Sequence, residues 1–131
     1  MNVLLDTSAY SALNRGHQAI LNVLRRSETV CLSAVVLGEL YSGFRAGNRW
    51  PENTAQLAQF LSKPSVRVLN VTEETASRYA EVDVYLRKKG RLIPRNDVWI
   101  AAAALEHRLQ LLTLDIHFGE IPLLLIQPRS F

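Results

Sequence analysis

The sequence predicts an α/β protein with a mostly parallel central sheet covered by helices on both faces. Three observations point there. Short apolar runs without polar alternation recur along the chain, as strands buried on both faces require. Stretches with helical apolar spacing separate those runs. The 131 residues are 48% hydrophobic and hold no repeat or linker that would divide them, so a single domain over residues 1–131 is expected.

Asn2-Val3-Leu4-Leu5 reads as the first strand, ended by Asp6-Thr7-Ser8. Thr7 or Ser8 is the expected N-cap of a short helix. His17–Arg26 follows as a helix with Ile20, Leu21 and Leu24 on one face, and Val30-Cys31-Leu32 as a second buried strand. Ser33 caps a helix over Ala34–Arg45 that carries Glu39. Gly47-Asn48 breaks the chain, and Pro51 suits the first turn of a helix over Glu52–Leu61. Val66–Val71 is a Val-rich strand. Thr72 caps a long helix to Lys89, with Glu73 and Glu74 in its first turn and Gly90 as its stop. The Ala-rich run Val98–His107 is the next helix, preceded by Pro94-Arg95-Asn96-Asp97. Leu109–Leu114 and Leu123–Ile126 are the last two strands, with Asp115 ending the first and Pro128 following the second.

Composition excludes several classes. Fifteen Lys+Arg against 12 Asp+Glu give a net charge of +3, a mild pointer to a polyanionic partner. The single Cys31 rules out an internal disulfide framework and a multi-Cys zinc site. The longest apolar stretch, Val98–Leu105, falls far short of the ~20 residues that span a bilayer. Asp6 stands where a signal peptide needs its apolar core, so a soluble, cytoplasmic protein is expected.

The acids are the informative residues. Asp6 and Asp115 both follow buried strands. In a parallel sheet the carboxyl ends of strands share one edge, where ligands bind, so the two carboxylates converge if their strands are neighbours. Asp97 lies at the start of the Ala-rich helix. Glu39 sits inside its helix beside Val36, Leu40 and Gly43, on or next to the apolar face. Taken singly, Asp6, Asp97 and Asp115 read first as caps or turn formers, and Glu39 as the partner of a distant Arg or Lys. Taken together they suggest a site. Four converging carboxylates repel unless cations neutralise them, and no Lys or Arg closely flanks Asp6 or Asp115. A hard divalent ion such as Mg²⁺ is the natural counter-charge, and it acidifies water and stabilises a leaving phosphodiester oxygen. The three histidines, His17, His107 and His117, are dispersed, which argues against a histidine-rich metal site.

Four segments then carry a family resemblance: Leu4-Leu5-Asp6-Thr7-Ser8, Val36-Leu37-Gly38-Glu39-Leu40, Asn96-Asp97-Val98-Trp99-Ile100-Ala101-Ala102, and Leu112-Thr113-Leu114-Asp115-Ile116-His117-Phe118. In order, spacing and overall length the chain resembles a PIN-domain ribonuclease, in particular a VapC-type toxin of toxin–antitoxin systems. The resemblance implies a three-layer α/β/α sandwich and a single nuclease domain. It implies a pocket holding Mg²⁺ or Mn²⁺ that hydrolyses RNA, a homodimer, and a cognate antitoxin. It assigns Asp6, Glu39, Asp97 and Asp115 to catalysis and metal binding, with Thr7, Ser8 and Thr113 as supporting polar groups.

Arg95, in the basic cluster of Arg87, Lys88, Lys89, Arg91 and Arg95, is a candidate RNA contact; the cluster also suits the helix dipole. Trp50, Trp99, Tyr41 and Phe44 are read as packing residues, and Cys31 as core. Two competing readings are a non-catalytic binding module acting through antitoxin and nucleic acid, and a phosphatase with an Asp nucleophile. The latter is disfavoured because Asp6-Thr7-Ser8 lacks a second Asp two positions on.

Overall fold

A computed structural model of the chain describes residues 1–128. Five strands, β1 (Asn2–Leu5), β2 (Thr29–Ser33), β3 (Val66–Leu69), β4 (Gln110–Leu112) and β5 (Ile126–Gln127), form one sheet in the order β3-β2-β1-β4-β5. Every pairing is parallel. Six helices surround it: α1 (Thr7–Asn14), α2 (Gln18–Arg25), α3 (Ala34–Ala46), α4 (Trp50–Leu61), α5 (Glu73–Lys89) and α6 (Arg95–His107). This is the expected α/β/α sandwich. Among the described residues no helix is long and apolar enough to cross a membrane.

The buried strands explain the architecture. Val3, Leu4, Leu5, Leu32, Leu111 and Leu112 are all fully buried, so β1, β2 and β4 need cover on both faces. The Ala run of α6 is buried along its length; its small side chains let that helix lie close against its neighbours. Cys31 is buried in β2, as its sequence context requires.

Topology positions the site. From β1 the chain builds outward through β2 and β3, then returns to the other side of β1 for β4 and β5. The order reverses between β1 and β4, and such a switch point opens a crevice at the carboxyl ends of the strands. The register sets Leu5 beside Leu112, and the Asp6 N–H donates to the Leu112 carbonyl at 3.1 Å. Asp6 and Thr113 therefore leave the sheet side by side.

Several boundaries differ from the sequence expectation. Of the caps the sequence offers for α1, Asp6 serves rather than Thr7 or Ser8, because its extended backbone aims Oδ1 at the Ala9 N–H. Helix α4 starts at Trp50, with Pro51 in its first turn. Helix α6 starts at Arg95, since Pro94 serves as N-cap and places Asp97 within the first turn. Strand β4 stops at Leu112, and a short 3-10 helix, Ile116–Glu120, follows Asp115. Strand β5 is Ile126–Gln127 rather than Leu123–Ile126: Leu123 has φ 66, is 91% exposed and cannot join a parallel ladder. Trp50 is 42% exposed under the Arg45 guanidinium, not core. Tyr41 is likewise 40% exposed, while Phe44 packs on the core beside it. Trp99 stacks on Tyr79, with ring centres 4.2 Å apart.

Candidate active site

Asp6 is the most constrained acid. It is 2% exposed, and two hydroxyls clamp it. Ser8 Oγ donates to Asp6 Oδ1 at 2.7 Å and accepts from the Leu114 N–H at 3.1 Å. Thr113 Oγ1 donates to Asp6 Oδ2 and accepts from the Asp115 N–H at 2.9 Å. The Ala9 N–H adds a third donor to Asp6 at 2.8 Å. Asp6 thus ties the start of α1 to the segment that carries Asp115. Its role as a cap and its place in the crevice are one arrangement.

Glu39 projects from α3 toward the same crevice. Thr7 Oγ1 donates to its Oε1 at 2.6 Å, and Asn96 Nδ2 approaches its Oε2 at 3.4 Å. The residue joins three elements: the start of α1, the middle of α3 and the first turn of α6. Its partners are a hydroxyl and an amide. An open groove lined by Val35, Gly38, Ser42 and Gly43 runs beside it.

Asp97 and Asp115 face each other across the crevice, and His117 joins them. Ligand atoms of Asp97, Asp115 and His117 all lie within 4.8 Å of one another, with Asp115 the exposed member. His117 Nε2 is 2.7 Å from Asp97 Oδ2. His117 and Asn96 are the site residues that sequence reasoning missed. Dispersal of the histidines along the chain was a poor guide, because folding returns His117 to the first turn of α6. The local signal was Asp115-Ile116-His117 after a buried strand, followed by the apolar anchor Phe118.

The electrostatics follow from burial and like charge. Burial pushes the Asp6 carboxyl above its ordinary value, against the pull of the Thr113, Ser8 and Ala9 donors, and the Asp115 charge adds to the rise. Burial also raises Asp97; His117 opposes this, while Glu39 and Asp115 add to it. Among the described residues, no Lys or Arg pairs with Asp6, Glu39, Asp97 or Asp115. The expected alternative for Glu39, a basic partner, is thus not what the fold provides. Carboxylates gathered in one crevice, two of them raised by burial and by neighbouring acids, with no Lys or Arg paired to them, are the donor set a hard divalent cation satisfies, so the residues present fit such an ion.

Arg95 lies two residues before Asp97, but it is already engaged. Its Nη1 donates to Asp83 Oδ1 at 2.8 Å and to the Tyr79 hydroxyl at 3.1 Å. Arg87 binds the other Asp83 oxygen at 2.9 Å. The two guanidiniums hold the Asp83 carboxyl below its ordinary value. Arg95 is therefore a positioned cation beside the crevice.

Converging acids at the switch point of a parallel α/β/α sandwich define a class of acidic, cation-binding centres. Residues 3–124 match the PIN domain family, and the chain belongs to it. Within the family its similarity is to VapC ribonucleases. It is 30% identical over 118 residues to Ribonuclease VapC5 of Mycobacterium tuberculosis, covering 90% of this chain and 86% of the relative. Ribonuclease VapC2 of Rickettsia felis is 29% identical over 132 residues, covering 97% of each. A chain of the VapBC2 complex from Rickettsia felis, solved with a DNA fragment from its promoter, superposes with a TM-score of 0.85 at 28% identity. That match covers 97% of this chain and 98% of the other.

Proposed function

We propose that this chain is a metal-dependent endoribonuclease that hydrolyses RNA phosphodiester bonds, acting as the toxin of a type II toxin–antitoxin pair. The observation that carries the reading is the grouping of Asp6, Glu39, Asp97 and Asp115 about the β1–β4 switch point with no Lys or Arg paired to them among the described residues. The VapC relatives, named ribonucleases, and the VapBC structural neighbour support it. Mg²⁺ is the proposed ion, with Mn²⁺ able to substitute. The proposed partners are an RNA substrate, a cognate antitoxin and a second copy of the chain. The proposed setting is the cytoplasm, with residues 1–131 working as one nuclease domain.

Bound in the crevice, a divalent cation supplies a Lewis acid for the phosphodiester and lowers the pKa of water. Asp97 and Asp115 would hold it, with Glu39 and Asp6 completing the negative field. The remaining work belongs to the chain's polar groups. Thr113 and Ser8 orient Asp6 and fix the backbone ahead of Asp115 through Leu114 and Asp115 N–H bonds. Thr7 orients Glu39. Arg95, held by Asp83, offers a positive charge for an RNA phosphate. With four of the 12 acids in the pocket, the rest of the chain sets 8 acids against 15 basic residues, a surface that attracts a polyanion.

RNA-end mapping after expression of the wild-type chain, against Asp6→Asn and Asp97→Asn, tests the proposal. Cleavage should vanish in both variants and in excess chelator. Undiminished cleavage in either folded variant, or in chelator, overturns it, and a wild-type chain that binds antitoxin but cuts no RNA favours the binding-module reading.

A further inference from the structure

The triangle of Asp97, Asp115 and His117 goes beyond an all-carboxylate pocket. Asp115 is the N-cap of the 3-10 helix Ile116–Glu120, so His117 is its second residue and stands on the same turn. Phe118 is fully buried and packs its ring 4.9 Å from the imidazole. That anchor fixes where the imidazole lies. Its Nε2 lies 2.7 Å from Asp97 Oδ2, and a ring nitrogen lies within 4.8 Å of an Asp115 oxygen.

Resting on the metal-dependent reading above, we propose that His117 Nε2 is a third protein ligand of the cation held by Asp97 and Asp115, and that it tilts this site toward Mn²⁺ over Mg²⁺. Ligand atoms about 2.1 Å from an octahedral ion stand about 3.0 Å apart when adjacent and about 4.2 Å apart when opposite. The Nε2–Oδ2 pair, at 2.7 Å, has to open by only a few tenths of an ångström, and the remaining pairs lie within 4.8 Å, so small side-chain movements bring all three to that scale. Ligation requires Nε2 without a proton; any proton there leaves to solvent as the ion enters. Carboxylates and water serve Mg²⁺ well, whereas an imidazole nitrogen adds affinity for transition ions, which rank above it as nitrogen acceptors. One residue on a side turn therefore changes which ion the pocket prefers, while the acids still supply its charge.

The test uses the full chain loaded with Mn²⁺ alone. Pulsed EPR of the wild type should show modulation from a directly coordinated imidazole nitrogen, absent in His117→Ala. Calorimetric titration should show His117→Ala losing about tenfold or more in Mn²⁺ affinity, and less than about threefold in Mg²⁺ affinity. Asp97→Asn should weaken both ions. If Mn²⁺ binds the wild type in an Asp97-dependent way but no coordinated nitrogen is seen, the proposal is overturned and the acidic metal site stands. If neither ion binds, or Asp97→Asn leaves binding unchanged, the metal-dependent reading falls and the proposal with it.

Discussion

Thr113→Val removes one oxygen and almost nothing else. Valine matches threonine in shape, and Thr113 is fully buried, so no cavity opens. Two bonds disappear: the donor to Asp6 Oδ2 and the acceptor for the Asp115 N–H. A hydrogen bond to a charged group contributes roughly 1.5–3 kcal/mol, and an orphaned backbone N–H adds about 1 kcal/mol where water reaches it poorly. The total is about 2–4 kcal/mol, or a fall in Tm of roughly 8–15 °C for a domain of this size. The loss depends on pH, with a definite sign. Burial already raises the Asp6 carboxyl, and the Thr113 bond opposes that rise. Deleting the bond lifts it further. A carboxyl raised by folding contributes stability below its unfolded value and forfeits it as pH climbs through the folded one. The Thr113→Val deficit should therefore be greater at pH 7 than near pH 4, by roughly 1 kcal/mol, the difference between a charged and a neutral acceptor. Thermal unfolding at both pH values, with Thr113→Ser as the control, measures this. Serine keeps the hydroxyl and should cost only about 1 kcal/mol for its lost methyl, equally at both pH values. A Thr113→Val deficit under about 1 kcal/mol, or one that does not change with pH, refutes the clamp on Asp6.

Two further outcomes follow from the same geometry. In chelator at pH 7, Asp97→Asn should melt a few degrees above the wild type, because a carboxyl raised chiefly by burial destabilises the fold once ionised; the gap should close as pH falls toward the ordinary carboxylate range, and calorimetry at stepped pH checks it. Arg95→Gln should leave Tm unchanged, since its one bond to Asp83 and its one bond to Tyr79 are exposed, yet lower the slope of log affinity for RNA against log salt by about one contact, read from filter binding across a salt series.

The strands and most helices could be read from the sequence because burial and capping are local signals. Val3–Leu5 and Leu111–Leu112 are apolar since both sheet faces are covered, and Ser33, Thr72 and Gly90 mark helix ends through bonds within a few residues. The convergence of Asp6 with the β4 segment was readable too, because order and polarity leave few topologies. What escaped was whatever depends on backbone angles or on contacts distant in sequence. Leu123–Leu125 is apolar enough for a strand, but the left-handed φ of Leu123 displaces β5 toward the C-terminus. His117 sits 20 residues from its partner Asp97, and no spacing rule reports a contact that the return of the chain creates. Arg95, a candidate RNA contact by sequence, is tethered to Asp83 of the previous helix, a pairing that no local signal reports.

Hydrogen bonding also sorts the four acids, which look equivalent in sequence. Both oxygens of Asp6 and both of Glu39 accept bonds from hydroxyl, backbone or amide donors of the chain. Neither belongs to the triangle of closely spaced ligand atoms, which consists of Asp97, Asp115 and His117. The inner pair is fixed before any ligand arrives, and fixed charge is what an electrostatic site needs, since it costs no reorganisation when a cation and a phosphate enter. The outer group is less restrained: Asp115 is exposed, and the contact of Asp97 is an imidazole that a metal can replace. Burial of Asp6 and Asp97 raises their pKa values and destabilises the empty pocket near neutral pH. A bound divalent ion removes that penalty, so under the proposed function the same burial that weakens the free protein strengthens its hold on the metal.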